Sequence, residues 1–467
     1  MLSKALHPHK YFWPQSDLRE NSQWKFIKNK NIYEMTLPED TEILAKDSRW
    51  PAFFPAPMCF VTTAFEGNQA LEKVVGASIV NRFPYVLALS FCKKELSDRH
   101  YCRQQFTETL ERSQGISVQY LPIGNSLNRV MNAISSTLEN KTFKRLEKSG
   151  LTTREGITNA SPVFEDAYMV YEGRLAKPGK DFDGKPIFEK PWLDAGSHRV
   201  YFFEINLIQL RQDIAKGQSQ ICWQSLPTWK PSTTPQGSIK SSPKPDLGVR
   251  YQKGYTPHYK FPSLGTIAFE ADTTENGMAI KHLPPLPEDQ VEVDNDRARW
   301  PCFFPSSVGM ITSWTRERTP NLMPCGSTTI ISRNPFIITL CVSYAAINER
   351  YSPRKTLGIL RESGKFGCGI PYIDETVIDA IRYAGNISLS GDPKKVANAG
   401  LPIEDSEWAP ICSSLPIHFD CKVVDEIRLG THIMFIGEVL KIRVRADVTV
   451  QNRLEWVPWP EVRNNRV

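Results

Sequence analysis

The chain has 467 residues and a mass of 53.1 kDa, which is enough for two or three domains with sizeable cores. Its net charge of +6 is mild for this length, so the composition gives no indication of a nucleic-acid partner or a polybasic membrane-binding surface. No apolar run approaches the roughly twenty residues that a membrane-spanning helix needs, so we expect no membrane span.

The cysteines and the N-terminus indicate the compartment. The ten cysteines never form a C-x-x-C pair, and Cys59, Cys92 and Cys341 lie in apolar, strand-like runs. This favours buried free thiols in a reducing compartment over a disulfide framework or a zinc site. The N-terminus lacks the apolar core of a secretory signal, so a cytoplasmic location is expected. The eight histidines show no metal-ligand spacing, and no metal site is predicted.

Residues 1–36 are mixed and aromatic, and we predict an N-terminal extension packed on a domain. Residues 37–215 are predicted to form the first domain, with one helix and several strands. The predicted helix is Arg103–Ser113, and the predicted strands are Met58–Ala64, Tyr85–Phe91, Ile116–Tyr120 and Arg199–Leu210.

Residues 216–285 are predicted to be a connector rich in Pro, Ser, Lys and Thr, running irregularly over the surface. Its several tryptophans and tyrosines argue that parts of it pack on the body, and binding of a partner is an alternative role. Residues 286–467 are predicted to form the second domain. Its predicted elements are the strands Val308–Ser313, Phe336–Ser343, Phe419–Val424 and Met434–Val450, and the helices Arg354–Glu362 and Glu375–Tyr383.

The two domains repeat each other in sequence. Leu37–Asp40 recurs as Leu286–Asp289, and the aromatic block Arg49–Pro55 recurs without a gap as Arg299–Pro305. This aromatic block is either a plug at the end of a barrel or a substrate platform. Further matches in the same order pair Arg82–Pro84 with Arg333–Pro335, Gly150–Leu151 with Gly400–Leu401, and Gly196–His198 with Gly430–His432. We infer that a whole domain was duplicated, and we predict a mainly β fold of two small barrels with helical inserts.

The segment Asn321–Phe366 is predicted to be a loop, a strand, a basic turn and a helix. Pro324 and its neighbours are expected to break the backbone, which frees hydroxyls and amides for a ligand. Cations and hydroxyls near a helix start favour an anion, and a phosphate is the natural candidate. The alternatives are a plain turn and a solvated helix start. The residues concerned are Gly326, Ser327, Thr328, Thr329, Ser352, Arg354, Lys355 and Thr356.

Taken together, these motifs resemble the flavin reductase-like family of FMN-binding split barrels. The similarity rests on Pro324, on Ser332 before Asn334-Pro335, and on the Arg354-Lys355-Thr356 turn. It continues in Gly364-Lys365-Phe366, Gly430-Thr431-His432 and Phe435–Val439. It covers most of Arg299–Val444 and, more faintly, Arg49–Leu210.

The sequence also departs from the family pattern. Gly326 stands where the family usually has a serine, and Thr431 replaces the aspartate beside His432. In the first copy Lys73 stands at the position of Pro324, and Gln105 at that of Thr356. Only Ser78, Arg103 and His198 remain there as candidates, so the second copy is expected to hold the flavin and the first to be a degenerate scaffold.

The resemblance implies two split barrels that form an internal pseudo-dimer, with FMN (FAD is an alternative) as the cofactor and NAD(P)H as the co-substrate. It implies that Gly326, Ser327, Thr328, Thr329, Ser332 and Ser352 contact the flavin. It implies that Arg354 and Lys355 neutralise the phosphate above the Thr356 cap. It also implies that His432 lies near the ring as an orienting donor; the alternative is a histidine at a strand start with no role.

Three functions follow from the resemblance and stay open. The first is an NAD(P)H-dependent flavin reductase, with a separate monooxygenase as a conceivable partner. The second is an FMN-dependent oxidoreductase that keeps its flavin and acts on a small organic substrate. The third is a non-catalytic flavin-binding protein. No Rossmann-type fingerprint is present to distinguish NADH from NADPH.

Overall fold

The structure is a computed structural model. It describes residues 5–6, 10–13, 24–37, 52–82, 84–93, 104–137, 142–216, 218–221, 226–232, 271–283, 305, 307–345, 353–449, 452 and 454. Most of the predicted connector lies outside these residues, as do Arg103, Ser352 and the segments around Trp50 and Trp300. No helix in the described residues is long and apolar enough to cross a membrane.

Short strands come first, followed by the strands and helices of the first domain. The N-terminal strands are β1 Ala5–Leu6, β2 Lys10–Trp13, β3 Lys25–Ile27, β4 Ile32–Thr36 and β5 Ala52–Pro57. The next strands are β6 Cys59–Phe65, β7 Asn68–Val74, β8 Ala77–Asn81, β9 Val86–Cys92, β10 Gly115–Tyr120, β11 Thr153–Glu155, β12 Pro162–Phe164, β13 Met169–Leu175, β14 Gly179–Lys180, β15 Pro186–Ile187, β16 Trp192–Ala195, β17 His198–Arg211 and β18 Gln220–Ile221. The helices are α1 Gln104–Ser113, α2 Asn125–Ser135, α3 Lys144–Ser149 and α4 Gln212–Ala215.

The remaining elements lie closer to the C-terminus. The strands are β19 Thr273–Glu275, β20 Met278–His282, β21 Ser307–Trp314, β22 Pro320–Arg333, β23 Phe336–Ser343, β24 Lys365–Ile370, β25 Ile403–Glu404, β26 Ile411–Cys412, β27 Ile417–Arg428 and β28 His432–Arg445. The helices are α5 Lys355–Ser363, α6 Glu375–Asn386 and α7 Lys395–Asn398. Strands outnumber helices, so the predicted mainly β class is confirmed.

Six strands close into a barrel in the C-terminal part of the chain. They are hydrogen-bonded in the order β23-β22-β21-β24-β27-β28, and β28 returns to pair with β23. Apolar side chains from all six strands fill its interior, among them Phe366 and Phe419, which are both 0% exposed. We call this the second barrel.

The first large sheet has the same order of pairing. There β6 pairs with β7 and β10, β10 with β13, β13 with β17, β17 with β9, and β9 with β8. The successive strands β7 and β8 therefore stand where the single long strand β22 stands in the second barrel. We call this sheet, with its helices, the first domain.

Each sheet gains strands from a segment that lies far away in sequence. The hairpin β3-β4, near the N-terminus, pairs through β4 with β28 of the second barrel. The hairpin β19-β20, which precedes the second barrel in sequence, pairs through β20 with β17 of the first domain. Two separate parts of the chain thus cross over in opposite directions, and each covers an edge that would otherwise be open to pairing.

Met35 offers a test of this exchange. Its side chain is 3% exposed and packs in the core of the second barrel. Met35→Ala should therefore destabilise that barrel by about 2–3 kcal/mol, while substitution of the exposed neighbour in Thr36→Ala should have little effect. Hydrogen exchange at the amides of β28 is the measurement. If hydrogen exchange at the β28 amides were as slow in Met35→Ala as in Thr36→Ala, the pairing of β4 with the second barrel would be contradicted.

An apolar layer joins the two halves. One continuous cluster contains Val80, Val86, Ala88, Val200 and Phe202 of the first domain. It also contains residues of the second barrel, namely Ile331, Ile337, Cys341, Leu429, Met434 and Ile436. Hydrogen bonds cross the same layer, for example from Ser197 N to Asn334 O at 2.8 Å. The halves are therefore packed together through side chains and backbone.

The predicted loop at Asn321–Thr329 is wrong, because these residues form the first part of strand β22. Pro324 is tolerated there because the described pairing of β22 with β23 begins only at Thr329, so that pairing needs no N–H from Pro324. The predicted free thiols are confirmed for the described cysteines, which are all buried and unlinked.

Candidate functional site

Three elements of the second barrel meet where strand β23 ends. Ser343, the last residue of β23, is paired with His432, the first residue of β28. The backbone N–H of Arg354 donates to the carbonyl of Ser343 at 3.0 Å, which fixes the start of helix α5 at the same place. Arg354 and His432, two predicted site residues that lie far apart in sequence, are therefore brought together.

A bulge in β22 lies beside this end of β23. Ser307 pairs with Thr328 and Gly309 with Cys325, so that Gly326 and Ser327 together oppose a single residue. Ser327 Oγ lies 3.5 Å from the carbonyl oxygen of Cys341, two residues before the end of β23. Bulges of this kind re-aim side chains and backbone groups, and this one leaves Gly326 and Ser327 partly exposed.

The turn before β28 is held by a residue of the first domain. Gly430 has a φ of 111°, a conformation that favours glycine. Asn81 Oδ1 accepts from Thr431 N at 2.9 Å, from Thr431 Oγ1 at 2.8 Å and from His432 N at 3.0 Å. The site is therefore built across the two halves of the chain.

These contacts also fix the tautomer of His432. Asn81 Nδ2 donates to the carbonyl of Pro84 at 2.8 Å, so its Oδ1 faces Thr431. Since Thr431 Oγ1 donates to that oxygen, it must accept from His432 Nδ1, 2.7 Å away. A neutral His432 therefore carries its lone pair on Nε2, whereas the resemblance implies a donor at this residue. Thr431 supplies the orientation that the family's aspartate would give.

Burial, assisted by the charges of Arg82 and Arg354, lowers the pKa of His432 to about 3. Unfolded histidine titrates near pH 6.5, so the folded protein binds fewer protons than the unfolded chain between about pH 6.5 and pH 3. The contribution to stability is complete above pH 6.5 and is lost as the pH falls toward 3.

His432→Gln should therefore reduce the pH dependence of stability. We expect the melting temperature of this variant to change less between pH 7 and pH 5 than that of the wild type, because one coupled proton is removed. Scanning calorimetry at the two pH values measures this. An equal change in both proteins would show that His432 titrates normally.

A second cation lies near Arg354. Lys395, at the start of α7, is 4% exposed, and no hydrogen bond or ion pair joins its Nζ to any residue that the structure describes. Burial, followed by the charge of Arg354, lowers its pKa to about 7, against a smaller opposing effect of Asp392. Arg354 itself donates through Nη1 to the carbonyl of Gly385 at the end of α6, at 3.3 Å.

The first domain also contacts this region through charges. Arg428 Nη1 lies 2.6 Å from Asp181 Oδ2 and 2.7 Å from Asp183 Oδ2. Tyr344, the residue after Ser343, donates its hydroxyl to Asp181 Oδ2 at 2.6 Å. Asp181 and Asp183 thus form a second contact, besides that of Asn81, between the first domain and the end of β23.

Other predicted residues take different places. Lys355 is exposed at the start of α5, whereas Thr356 is buried and accepts from Asn321 Nδ2 at 2.9 Å. Thr356 is therefore not the cap of this helix, which begins after Arg354. Thr328 Oγ1 donates to the carbonyl of Cys325 at 3.0 Å and closes the bulge, and Thr329 is buried.

Ser332 is not brought to this group. It pairs with Ile337 near the opposite end of β23, about 20 Å away along the strand. There its Oγ lies 3.4 Å from Ser197 Oγ, beside His198 of the first domain. A Cβ on Gly196 would collide with the backbone of Asn334, so the second barrel packs tightly against this turn.

The atoms around Arg354 fit an anionic, hydrogen-bonding ligand. Ser343 Oγ and Asn386 Oδ1 are buried without a hydrogen-bond partner within the described residues. Ser343 Oγ can donate and Asn386 Oδ1 can accept, and Lys395 adds a cation that forms no ion pair within the described residues. The described residues contain no group of His, Cys, Asp and Glu that could hold a metal ion.

Residues 301–457 match the family described as "Flavin reductase like domain". This flavin reductase-like domain contains the closed six-stranded barrel and every second-barrel residue of the candidate site. The match supports a flavin-related oxidoreductase kind of function and a flavin cofactor.

Similar proteins align over about a third of the chain. Flavoredoxin from Methanosarcina acetivorans is 19% identical, over 32% of this chain and 74% of that one, with a TM-score of 0.28. Component B of nitrilotriacetate monooxygenase from Bacillus cereus is 23% identical, over 32% and 75%, also with a TM-score of 0.28. An uncharacterized protein from Archaeoglobus fulgidus is 23% identical over 142 residues, which are 30% of this chain and 73% of that protein.

The sequence alone missed several residues of the site, among them Asn81, Arg82 and Lys395. Asn81 and Arg82 could have been found from the repeat, because they occupy the positions of Ser332 and Arg333 in the other copy. Lys395 carried no such signal, since it is one of two adjacent lysines and only the packing of α7 distinguishes them.

Proposed function

We propose that this protein is a flavin-dependent oxidoreductase that binds FMN at the end of β23 and transfers hydride from NAD(P)H to it. The observation that carries the proposal is the convergence of Arg354 and His432, both in the flavin reductase-like domain, with Asn81 of the first domain at one place. A bound flavin would accept a hydride at its ring nitrogen N5.

The residues of the chain would bind and orient the cofactor. Arg354 and the first amides of α5 suit the phosphate, because unpaired N–H groups and the helix dipole favour an anion. Lys355 is exposed at the same helix start and can add only a screened charge. The partly exposed bulge at Gly326 and Ser327 is the place for contacts to the ring or the ribityl chain.

His432 would serve as a fixed, neutral acceptor and not as an acid. Its Nδ1–H is committed to Thr431, and its low pKa keeps the ring uncharged at neutral pH. An acceptor at Nε2 suits an N–H or O–H group of the flavin or of the nicotinamide amide. His432→Phe would remove that acceptor while keeping a ring of similar size.

The two halves of the chain would be a duplicated split barrel in which one site is kept. The proposal is supported by the same order of strand pairing in both sheets and by the reciprocal exchange of β4 and β20. At the equivalent place beside His198, Asn334 packs against Gly196 and the backbone of Ser197. That contact leaves less room beside His198, and we assign one flavin to each chain.

The experiment is an assay of the purified full-length chain with NADH or NADPH, without and with added FMN. Oxidation of nicotinamide that depends on free FMN supports a reductase that releases reduced flavin. Tight retention of FMN with negligible turnover of added flavin would instead favour an oxidoreductase acting on a small organic substrate. A protein that fails to bind FMN at micromolar concentration would refute the proposed function.

A further inference from the structure

Lys395 is an unusual side chain for the interior of a protein. It is 4% exposed, at the start of a four-residue helix that packs against β22. Buried lysines are rare unless they are paired, because an ammonium group loses its hydration without compensation. The described carboxylate that acts on it is that of Asp392, and no ion pair forms between them.

The carboxylate of Asp392 is already occupied. Its Oδ2 accepts from the hydroxyl of Tyr383 at 2.8 Å and from Asn398 Nδ2 at 3.0 Å, and its Oδ1 accepts from the backbone of Lys394 at 2.9 Å. Asp392 therefore stabilises the turn before α7 and leaves Lys395 without a direct counter-charge.

The other charge near Lys395 is repulsive. Arg354, from the start of α5, lowers the pKa of Lys395 and also that of His432. Two cations, Arg354 and Lys395, thus repel each other. Arg354 is hydrogen-bonded to the backbone of Ser343 and of Gly385, the residue before Asn386. Ser343 Oγ and Asn386 Oδ1 have no hydrogen-bond partner within the described residues. A ligand with two negative charges would relieve this repulsion and accept the hydrogen bond that Ser343 Oγ can donate.

We propose that Lys395, acting with Arg354, recognises a terminal phosphate monoester and so makes the site select FMN over riboflavin and FAD. This inference rests on the proposed flavin site and names the residue that sets its cofactor specificity. The terminal phosphate of FMN carries close to two charges at neutral pH, because its second pKa is about 6. Each phosphate of FAD is bonded through one ester and one anhydride linkage and carries one charge, and riboflavin has no phosphate.

Recognition of a dianion would involve uptake of a proton. With its pKa at about 7, Lys395 is largely neutral at pH 8 in the free protein. A bound phosphate raises that pKa, so the amine takes one proton from solvent as the complex forms. Below pH 7 Lys395 is already an ammonium and this uptake disappears. The groups that face Lys395 are Arg354 and Asp392, and Tyr383 acts through its bond to Asp392.

Binding of FMN and of riboflavin to the full-length chain tests the proposal, with Lys395→Met as the variant. Methionine has a similar length and suits an apolar interior, so this variant should fold. The wild type should bind FMN at least about 10-fold more tightly than riboflavin, and Lys395→Met should lose about 10- to 100-fold in FMN affinity with riboflavin unchanged. Lys394→Met, at the exposed neighbouring lysine, is the matched control and should retain wild-type affinity.

Calorimetry gives a second, independent readout on the wild type. FMN binding at pH 8 in two buffers of different ionisation enthalpy should show uptake of close to one proton, and Lys395→Met should show none. Equal FMN affinity in Lys395→Met and Lys394→Met, or no proton uptake in the wild type, would overturn the role of Lys395 while leaving the flavin site intact. Failure of the wild type to bind either FMN or riboflavin would instead refute the proposed function itself.

Discussion

Arg354→Ala is expected to weaken FMN binding about 10- to 100-fold, because it removes a charge-assisted contact to phosphate that is worth roughly 1.5–3 kcal/mol. Arg354 is partly buried and tied by its backbone to Ser343, so its position is fixed before a ligand arrives. The change in flavin fluorescence on titration with the protein measures the affinity.

Lys355→Ala is the matched control for this prediction. Lys355 is the next residue and carries the same charge, but it is exposed at the helix start. Screening by solvent reduces its contribution, so we expect a loss of no more than about 3-fold. Equal losses of FMN affinity in the two variants would mean that the phosphate lies in solvent beyond the start of α5. An unchanged FMN affinity in Arg354→Ala would mean that the phosphate binds at a different place in the protein.

Asn81→Ala is expected to damage both stability and flavin binding, although Asn81 belongs to the first domain. Its Oδ1 accepts three hydrogen bonds from Thr431 and His432, so the substitution leaves two backbone amides without a partner. Each such loss costs about 1–3 kcal/mol, and the released turn would no longer hold His432. We expect a melting temperature several degrees lower and a loss of at least about 10-fold in FMN affinity.

The control for Asn81 is its counterpart in the repeat. Ser332 occupies the matching position of the repeated sequence pattern, but within the described residues its hydroxyl makes longer contacts, at 3.3 Å from Asn334 N and at 3.4 Å from Ser197 Oγ. Ser332→Ala should therefore leave FMN affinity unchanged and lower stability only slightly. If Ser332→Ala impaired flavin binding as strongly as Asn81→Ala, the functional site would lie beside His198 or at both places.

Local pattern was enough to find the strands of the barrels. The alternation and the apolar runs fixed Phe336–Ser343 completely, and most other strands to within a few residues. Strand β28 ends earlier than predicted because Arg445 folds back onto Asp447, its Nε 3.0 Å from Oδ1, and begins a turn. Helix α2 was missed although Leu127, Val130 and Ile134 repeat at helical spacing, so this signal was present in the sequence.

The exchange of strands lay beyond local reasoning. Residues 1–36 had the composition of an extension, and the sequence of Ile32–Thr36 alone does not indicate that this strand pairs with β28. Pairing between segments about four hundred residues apart depends on how the two sheets pack. The continuous apolar layer between the halves also depends on how the two sheets pack, because both halves contribute side chains to it.

For the site, the helix start and the histidine were recognisable because each carries a short motif. The prediction that Pro324 and Gly326 break the backbone failed, because strand β22 runs through both residues and its described pairing with β23 begins only at Thr329. Lys395 could not be found at all, because its burial and its lack of a counter-charge are properties of packing. The resemblance identified the kind of ligand, and the geometry indicates which residues would hold it.

Titration of the purified full-length protein with FMN, followed by visible absorbance and flavin fluorescence, tests the central claim most directly. The account predicts saturation at one FMN per chain, with the bound flavin lost in Arg354→Ala at concentrations that saturate the wild type. Binding of two flavins per chain, or of none at micromolar concentration, would contradict it.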